Sequence, residues 1–121
     1  MKYEIFQLKL SDEICDAVEI CHRTNFPNRP AELYPEYKAH LDVIQGKYEE
    51  YYFRYYSLVA TIDAESLDGV FRIGNIGPES AIERHKTMHS ISVGDIIFDG
   101  KRFWFVDKMG FKNITRTEVA A

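Results

Sequence analysis

Apolar and polar residues alternate from the start of the chain. In "KYEIFQLKL", Tyr3, Ile5 and Leu8 or Leu10 recur close to every second position with Lys and Glu between them, as in a half-buried strand. The period then lengthens. Ser11 offers an N-cap, Asp12 and Glu13 favour the positive end of a helix, and Ile14, Val18 and Cys21 follow at helical spacing, which predicts about three turns ending near Arg23. "TNFPNRPAELYP" interrupts both periods with three prolines and two asparagines and predicts a surface loop. A second helix is expected to begin with Pro35 in its first turn, to carry Tyr37, Leu41 and Ile44 as its apolar stripe, and to end at Gly46.

"KYEEYYFRYY" fits two periods at once. Tyr48, Tyr51, Tyr52 and Tyr55 match one helix face, yet Tyr51, Phe53 and Tyr55 alternate, so residues 47–53 stay unassigned. The β-branched and aromatic run "YYSLVATID" predicts a strand over 54–62. Next, Asp63 or Ser66 can cap a short helix with Leu67, Val70 and Phe71 on one face, stopped by Gly74 through Pro78. Finally "SVGD" turns into "IIF", Asp99-Gly100 closes a hairpin, and "RFWFVD" pairs back. The expected order is β-α-α-β-α-β-β. That is a single α+β domain over 1–121, with a mixed or mainly antiparallel sheet and two to three helices.

Composition changes this picture in three places. Eight Tyr and eight Phe are a marked aromatic excess for 121 residues. Cys15 and Cys21, six apart on a predicted helix, point away from each other, so a local disulfide is disfavoured and a reducing, cytoplasmic setting is expected. No apolar run approaches the roughly 20 residues of a membrane helix, and the N-terminus lacks a signal-peptide core, so the chain is expected to be soluble, unprocessed and without a membrane partner. The net charge of −4 divides unevenly: residues 1–83 hold 8 basic and 15 acidic side chains, while 84–121 hold 7 and 4.

Candidate chemistry is sparse. His85 and His89 lie four apart in "RHKTMHS" but without third or fourth ligands, an H-E-x-x-H glutamate or a CxxC pair, so no metal site is expected. Asp95, Asp99 and Asp107 flank the final hairpin and read as turn and strand-end residues in preference to paired catalytic carboxylates. Cys21 beside His22 reads as core filling, because adjacent helix residues point apart. "GNIGP" lacks phosphate-loop or dinucleotide spacing. Neither a catalytic residue nor a cofactor is assigned.

Two surfaces carry more weight. Tyr48, Tyr51, Tyr52 and Tyr55 form a protein-binding candidate, since tyrosine buries a large area at low entropic cost. Along the last predicted strand Trp104 and Val106 face one way and Phe103 and Phe105 the other. Arg102, Trp104, Lys108 and Lys112 together form a nucleic-acid candidate, in which bases stack on the ring and cations follow the backbone.

Residues Ser66-Leu67, Val70-Phe71, Gly74-Asn75, Ser92-Val93-Gly94-Asp95 and Gly110-Phe111, within 56–114, resemble uncharacterised small proteins of bacteriophages, plasmids and conjugative elements, including the YodL-like domain carried on such elements. The resemblance implies a mobile-element setting and supplies no catalytic residues. The expected function is therefore a non-enzymatic accessory protein that binds a host or element-encoded protein, countering a host function being one form of it. The alternative is a single-stranded nucleic-acid-binding module. Assembly with further copies is left open.

Overall fold

The computed structural model describes residues 1–115. Six strands form one antiparallel sheet: β1 Lys2–Leu8, β2 Tyr56–Asp63, β3 Ile82–Arg84, β4 Ile96–Phe98, β5 Phe103–Asp107 and β6 Gly110–Asn113, in the spatial order β3-β2-β1-β4-β5-β6. Helices α1 Asp12–Arg23, α2 Arg29–Leu33 and α3 Pro35–Val43 fall between β1 and β2, and α4 Leu67–Ile76 lies between β2 and β3. Two 3-10 segments, Glu50–Tyr55 and Glu79–Ala81, complete the described chain. The α+β expectation holds, and the sheet is wholly antiparallel.

β1 takes the centre because both of its faces are apolar. Tyr3, Ile5 and Gln7 alternate with Phe6 and Leu8, and each set meets its own core. On one face Tyr3, Ile5, Val59, Ile62, Ile97 and Val106 pack under Val70 and Ile73 of α4. On the other, Leu8, Ile96 and Phe105 pack under Ala39 and Val43 of α3 and Tyr52 of the first 3-10 segment. A bulge between Ile5 and Phe6 leaves Val59 of β2 unmatched in the β1 register, and its carbonyl accepts the His85 and Lys86 N–H groups just past β3.

Local signals were followed where they were strong. Ser11 Oγ accepts from Ile14 N at 3.3 Å and Ser66 Oγ from Gly69 N at 3.1 Å, so both predicted N-caps are in place. Several features depart from expectation. The buried residues of α3 are Ala39 and Val43, not the stripe Tyr37, Leu41 and Ile44, the last of which is exposed. The proline-rich loop contains α2, which begins at Arg29 with Pro30 in its first turn, where the fixed φ suits a helix and the ring is buried. Residues 50–55, most of which the sequence left unassigned, are 3-10, and β2 starts at Tyr56, not at 54. α4 runs through Gly74 to Ile76, because Gly74 lies where any Cβ would come within 2.4 Å of Ile91 Cδ1, and the stop falls at Gly77-Pro78. Strands β3 and β6 were not anticipated, giving the order β-α-α-α-β-α-β-β-β-β.

The end of α3 is pinned to the entry of β4. Gly94 has φ +101 and sits so close that a Cβ would be 3.0 Å from the Val43 carbonyl oxygen, while the Tyr56 hydroxyl donates to the Gly94 carbonyl. Position 94 therefore needs glycine both for its backbone conformation and for clearance.

Candidate functional site

The tyrosine segment divides by its three-residue turn. In a 3-10 segment residues three apart share a side, so Tyr52 and Tyr55 face inward and Tyr51 and Arg54 outward. Tyr52 is 2% exposed and its hydroxyl donates to Asp42, which Lys38 also approaches at 3.1 Å. That hydroxyl, more than Lys38, holds the Asp42 carboxyl below its ordinary range, while burial pushes the Tyr52 phenol up. Tyr48 and Tyr55 are half-buried, and the Tyr48 ring centroid lies 5.4 Å from that of Phe105. Tyr51 alone of the four candidates is exposed, at 49%. Tyr52 belongs to the core and is corrected from the candidate surface, because the turn that exposes Tyr51 buries its neighbour.

The aromatic-basic hairpin is likewise split. Trp104 and Val106 face the α4 side and Phe103 and Phe105 the α3 side, as their alternation predicts. Lys112 pairs with Phe105, and directly opposed residues of an antiparallel ladder share a face, so Lys112 stands on the side away from the indole. Trp104 is half-buried and its Nε1 donates to Asp99 Oδ2 at 3.1 Å. Burial alone would raise the Asp99 carboxyl, but the Arg102 N–H, the indole and the Lys101 N–H outweigh it and hold it below its ordinary range. Giving up a hydrogen bond to a charged group costs about 1.5–3 kcal/mol, and one stacked base returns about 1–3 kcal/mol, so freeing this indole for stacking gains little. Arg102, Lys108 and Lys112 are exposed, and Lys112 lies on the face opposite Trp104.

A polar cluster emerges that the sequence signalled only weakly. Gln7 is fully buried at a period-two position of the β1 core face. Its amide donates to Asp95 Oδ2 at 3.0 Å and to the His89 carbonyl at 2.9 Å, and its oxygen accepts the His89 N–H at 3.2 Å. Asp95 Oδ2 also accepts the Ser92 N–H at 3.1 Å, the turn-capping role its position suggested. Burial raises the Asp95 carboxyl to about 6, against the pull of the Ser92 N–H, His89 and Gln7. His40, on α3, is held below its ordinary value by burial and then by the charge of His89. The His89 Nδ1 lies 2.7 Å from the Ser90 carbonyl and 3.2 Å from the Gln7 Nε2. The cluster ties 89–95 to the central strand, and the buried Asp95 carboxylate is engaged by the Gln7 amide and the Ser92 N–H.

The other singled-out groups are engaged separately. His85 Nε2 lies 2.9 Å from Thr61 Oγ1, apart from the His89 cluster. Asp99 accepts the Lys101 and Arg102 N–H groups at 2.8 and 2.7 Å in a four-residue connection instead of a two-residue turn, and Asp107 accepts Lys108 N at 2.7 Å. Among the described residues no group of three or more His, Cys, Asp or Glu is placed to hold a metal ion. No helix among them is long and apolar enough to cross a membrane.

Three large apolar side chains stand exposed along α1, α2 and the connection between them, though Ile76 and Met109 are individually more exposed. Ile20 is 53% exposed, Phe26 60% and Leu33 57%. Only Ile14 of α1 is buried, with Ala17, Val18 and Cys21 half-covered. Glu13, Asp16 and Ile20 follow at i, i+3 and i+7, one stripe of the helix surface, with Asp12 and Glu19 beside it and all exposed. The signal in the sequence was Ile20, which lies off the Ile14-Val18-Cys21 stripe and so has no core to enter.

No family model, curated protein or solved structure matches this chain.

Proposed function

We propose that this chain is a non-enzymatic accessory protein of a phage or mobile element that binds another protein through its acidic N-terminal half. The setting is supported by the resemblance of residues 56–114 to the YodL-like domain of such elements. The mode of action is supported by one observation above the rest: Ile20, Phe26 and Leu33 stand more than half exposed on a net acidic segment, where Asp12, Glu13, Asp16, Glu19 and Glu32 outnumber Arg23 and Arg29. Large apolar side chains cost solvation when left in water, and beside a net acidic surface they mark a contact surface for an apolar patch of net basic character. The partner is accordingly a host or element-encoded protein with an apolar patch rimmed by Lys and Arg, met in the bacterial cytoplasm. Tyr51 and its neighbouring Glu49 and Glu50 extend the same acidic, aromatic character.

Affinity capture from host lysate with the wild-type chain and with Ile20→Lys/Phe26→Lys tests the reading. A discrete protein retained by the wild type, lost from the variant and released by salt supports it. Equal retention by both chains, or capture of nucleic acid in place of protein, contradicts it. Single-stranded nucleic-acid binding through Arg102, Trp104, Lys108 and Lys112 is the second reading, carried by the exposure of its three cations.

A further inference from the structure

β6 is the last strand of the sheet, and its pairing has a definite sense. Ile114 N donates to the Phe103 carbonyl at 2.9 Å, so in the register Phe105↔Lys112 and Asp107↔Gly110 the bonded pairs recur at every second residue. Phe111 and Asn113 lie between them and turn their N–H and C=O groups to the outer edge. β6 has no neighbouring strand on that edge among the described residues. An open row of backbone donors and acceptors is a template for another strand.

The side chains around this edge say which strand it fits. Lys112 stands exposed in mid-strand, and Lys101, Arg102 and Lys108 surround the ribbon. The nearby carboxylates are committed elsewhere: Asp99 to the backbone N–H groups and the indole, Asp107 to the Lys108 N–H. Among the described residues none of these four cations forms an ion pair. A second copy of β6 would bring lysine against lysine, since directly opposed like charges destabilise a ladder. A strand with carboxylates on the Lys112 face and small apolar side chains on the Phe111 face meets complementary charge on one side and the half-buried Phe111 ring on the other.

We propose that the outer edge of β6 is a docking strand for an extended acidic peptide of a partner protein, bound by strand addition through the backbone of Phe111 and Asn113. This surface is distinct from the α1–α2 surface and does not depend on it. A nucleic acid is less well served, because Lys112 and the indole lie on opposite faces and Trp104 is held by Asp99.

The probe is a capped seven-residue peptide alternating glutamate and valine, titrated into the 15N-labelled chain. The Phe111 and Asn113 amide signals are expected to move most. Lys112→Glu is expected to weaken binding at least about tenfold, by reversing the charge an acidic strand meets. Asn113→Pro removes one outward N–H and leaves the bonds to β5, so it too is expected to weaken binding by about tenfold without loss of fold. The same peptide N-methylated at alternate residues is expected not to bind, and this arm stands even where Asn113→Pro does not fold. Three results would overturn the proposal: no movement at these amides at millimolar peptide, equal binding of the N-methylated peptide, or movement with oligothymidylate and none with peptide.

Discussion

The amide of Gln7 donates to the Asp95 carboxylate at 3.0 Å, joining the central strand to the entry of β4 across 88 residues of sequence. Both side chains are almost wholly withdrawn from solvent, at 0% and 4% exposure, so each depends on the other. Gln7→Leu is expected to destabilise the fold by about 2–3 kcal/mol, because it leaves a buried carboxylate and the His89 carbonyl without their donor. Urea unfolding reads the loss. Gln7→Leu/Asp95→Leu, which removes both polar partners, is expected to be less harmful than the sum of the single changes.

The same carboxylate sets a pH dependence. Its value is about 6 in the fold against an ordinary 3.8, so between these the folded chain holds more proton than the unfolded one. Its contribution is fully present below the lower value and is lost as pH rises through the upper, by about 3 kcal/mol in all. His40, depressed below its ordinary 6.5, acts in the opposite sense just under that value, since the unfolded chain then holds more proton. The difference between wild type and Asp95→Asn removes the His40 contribution. Unfolding free energies from pH 3 to 8 are expected to show the wild type losing ground to Asp95→Asn by about 3 kcal/mol over this window and no further change above it.

Gly74 answers to Ile91. An added Cβ would lie 2.4 Å from Ile91 Cδ1 and 2.7 Å from Cγ1, and Ile91 is 2% exposed with little room to retreat. Helix propensity favours Gly74→Ala by about 1 kcal/mol, but overpacking costs about 1–3 kcal/mol. Net destabilisation of up to about 2 kcal/mol is expected by thermal or urea unfolding. Adding Ile91→Val removes the nearest methyl, and the double variant is expected to recover about 1 kcal/mol relative to the sum.

These particulars show how far the sequence could be read. The two caps, the Pro35 helix start, the alternation of Trp104 with Phe103 and Phe105, and the turn role of Asp95 are local, and local chemistry decides them. β3 and β6 were hidden because Ile82–Arg84 is only three residues long and "GFKN" has weak strand propensity; both form on the strength of a neighbouring strand. Tyr52 lies in the core because a 3-10 turn buries a different set from either the helical or the alternating period. Ile20 carries a local signal, lying off the Ile14-Val18-Cys21 stripe, whereas the exposure of Phe26 and Leu33 depends on which elements lack cover, a tertiary fact.

Trp104 serves as the reporter for the second reading. Its indole is half-buried and bonded to Asp99, so single-stranded oligonucleotide at low salt is expected to change its fluorescence by less than about a tenth. Asp99→Asn weakens that bond and is expected to shift the emission to longer wavelength without added ligand.

The central claim is that a protein partner seats on α1 and α2. Hydrogen exchange on the chain alone and bound to its captured partner is the most direct measurement. The account predicts slowed exchange concentrated in residues 12–33, with Ile20→Lys/Phe26→Lys abolishing both binding and protection while unfolding at the wild-type midpoint. Protection confined to residues 101–113, or binding undiminished by that double substitution, would contradict it.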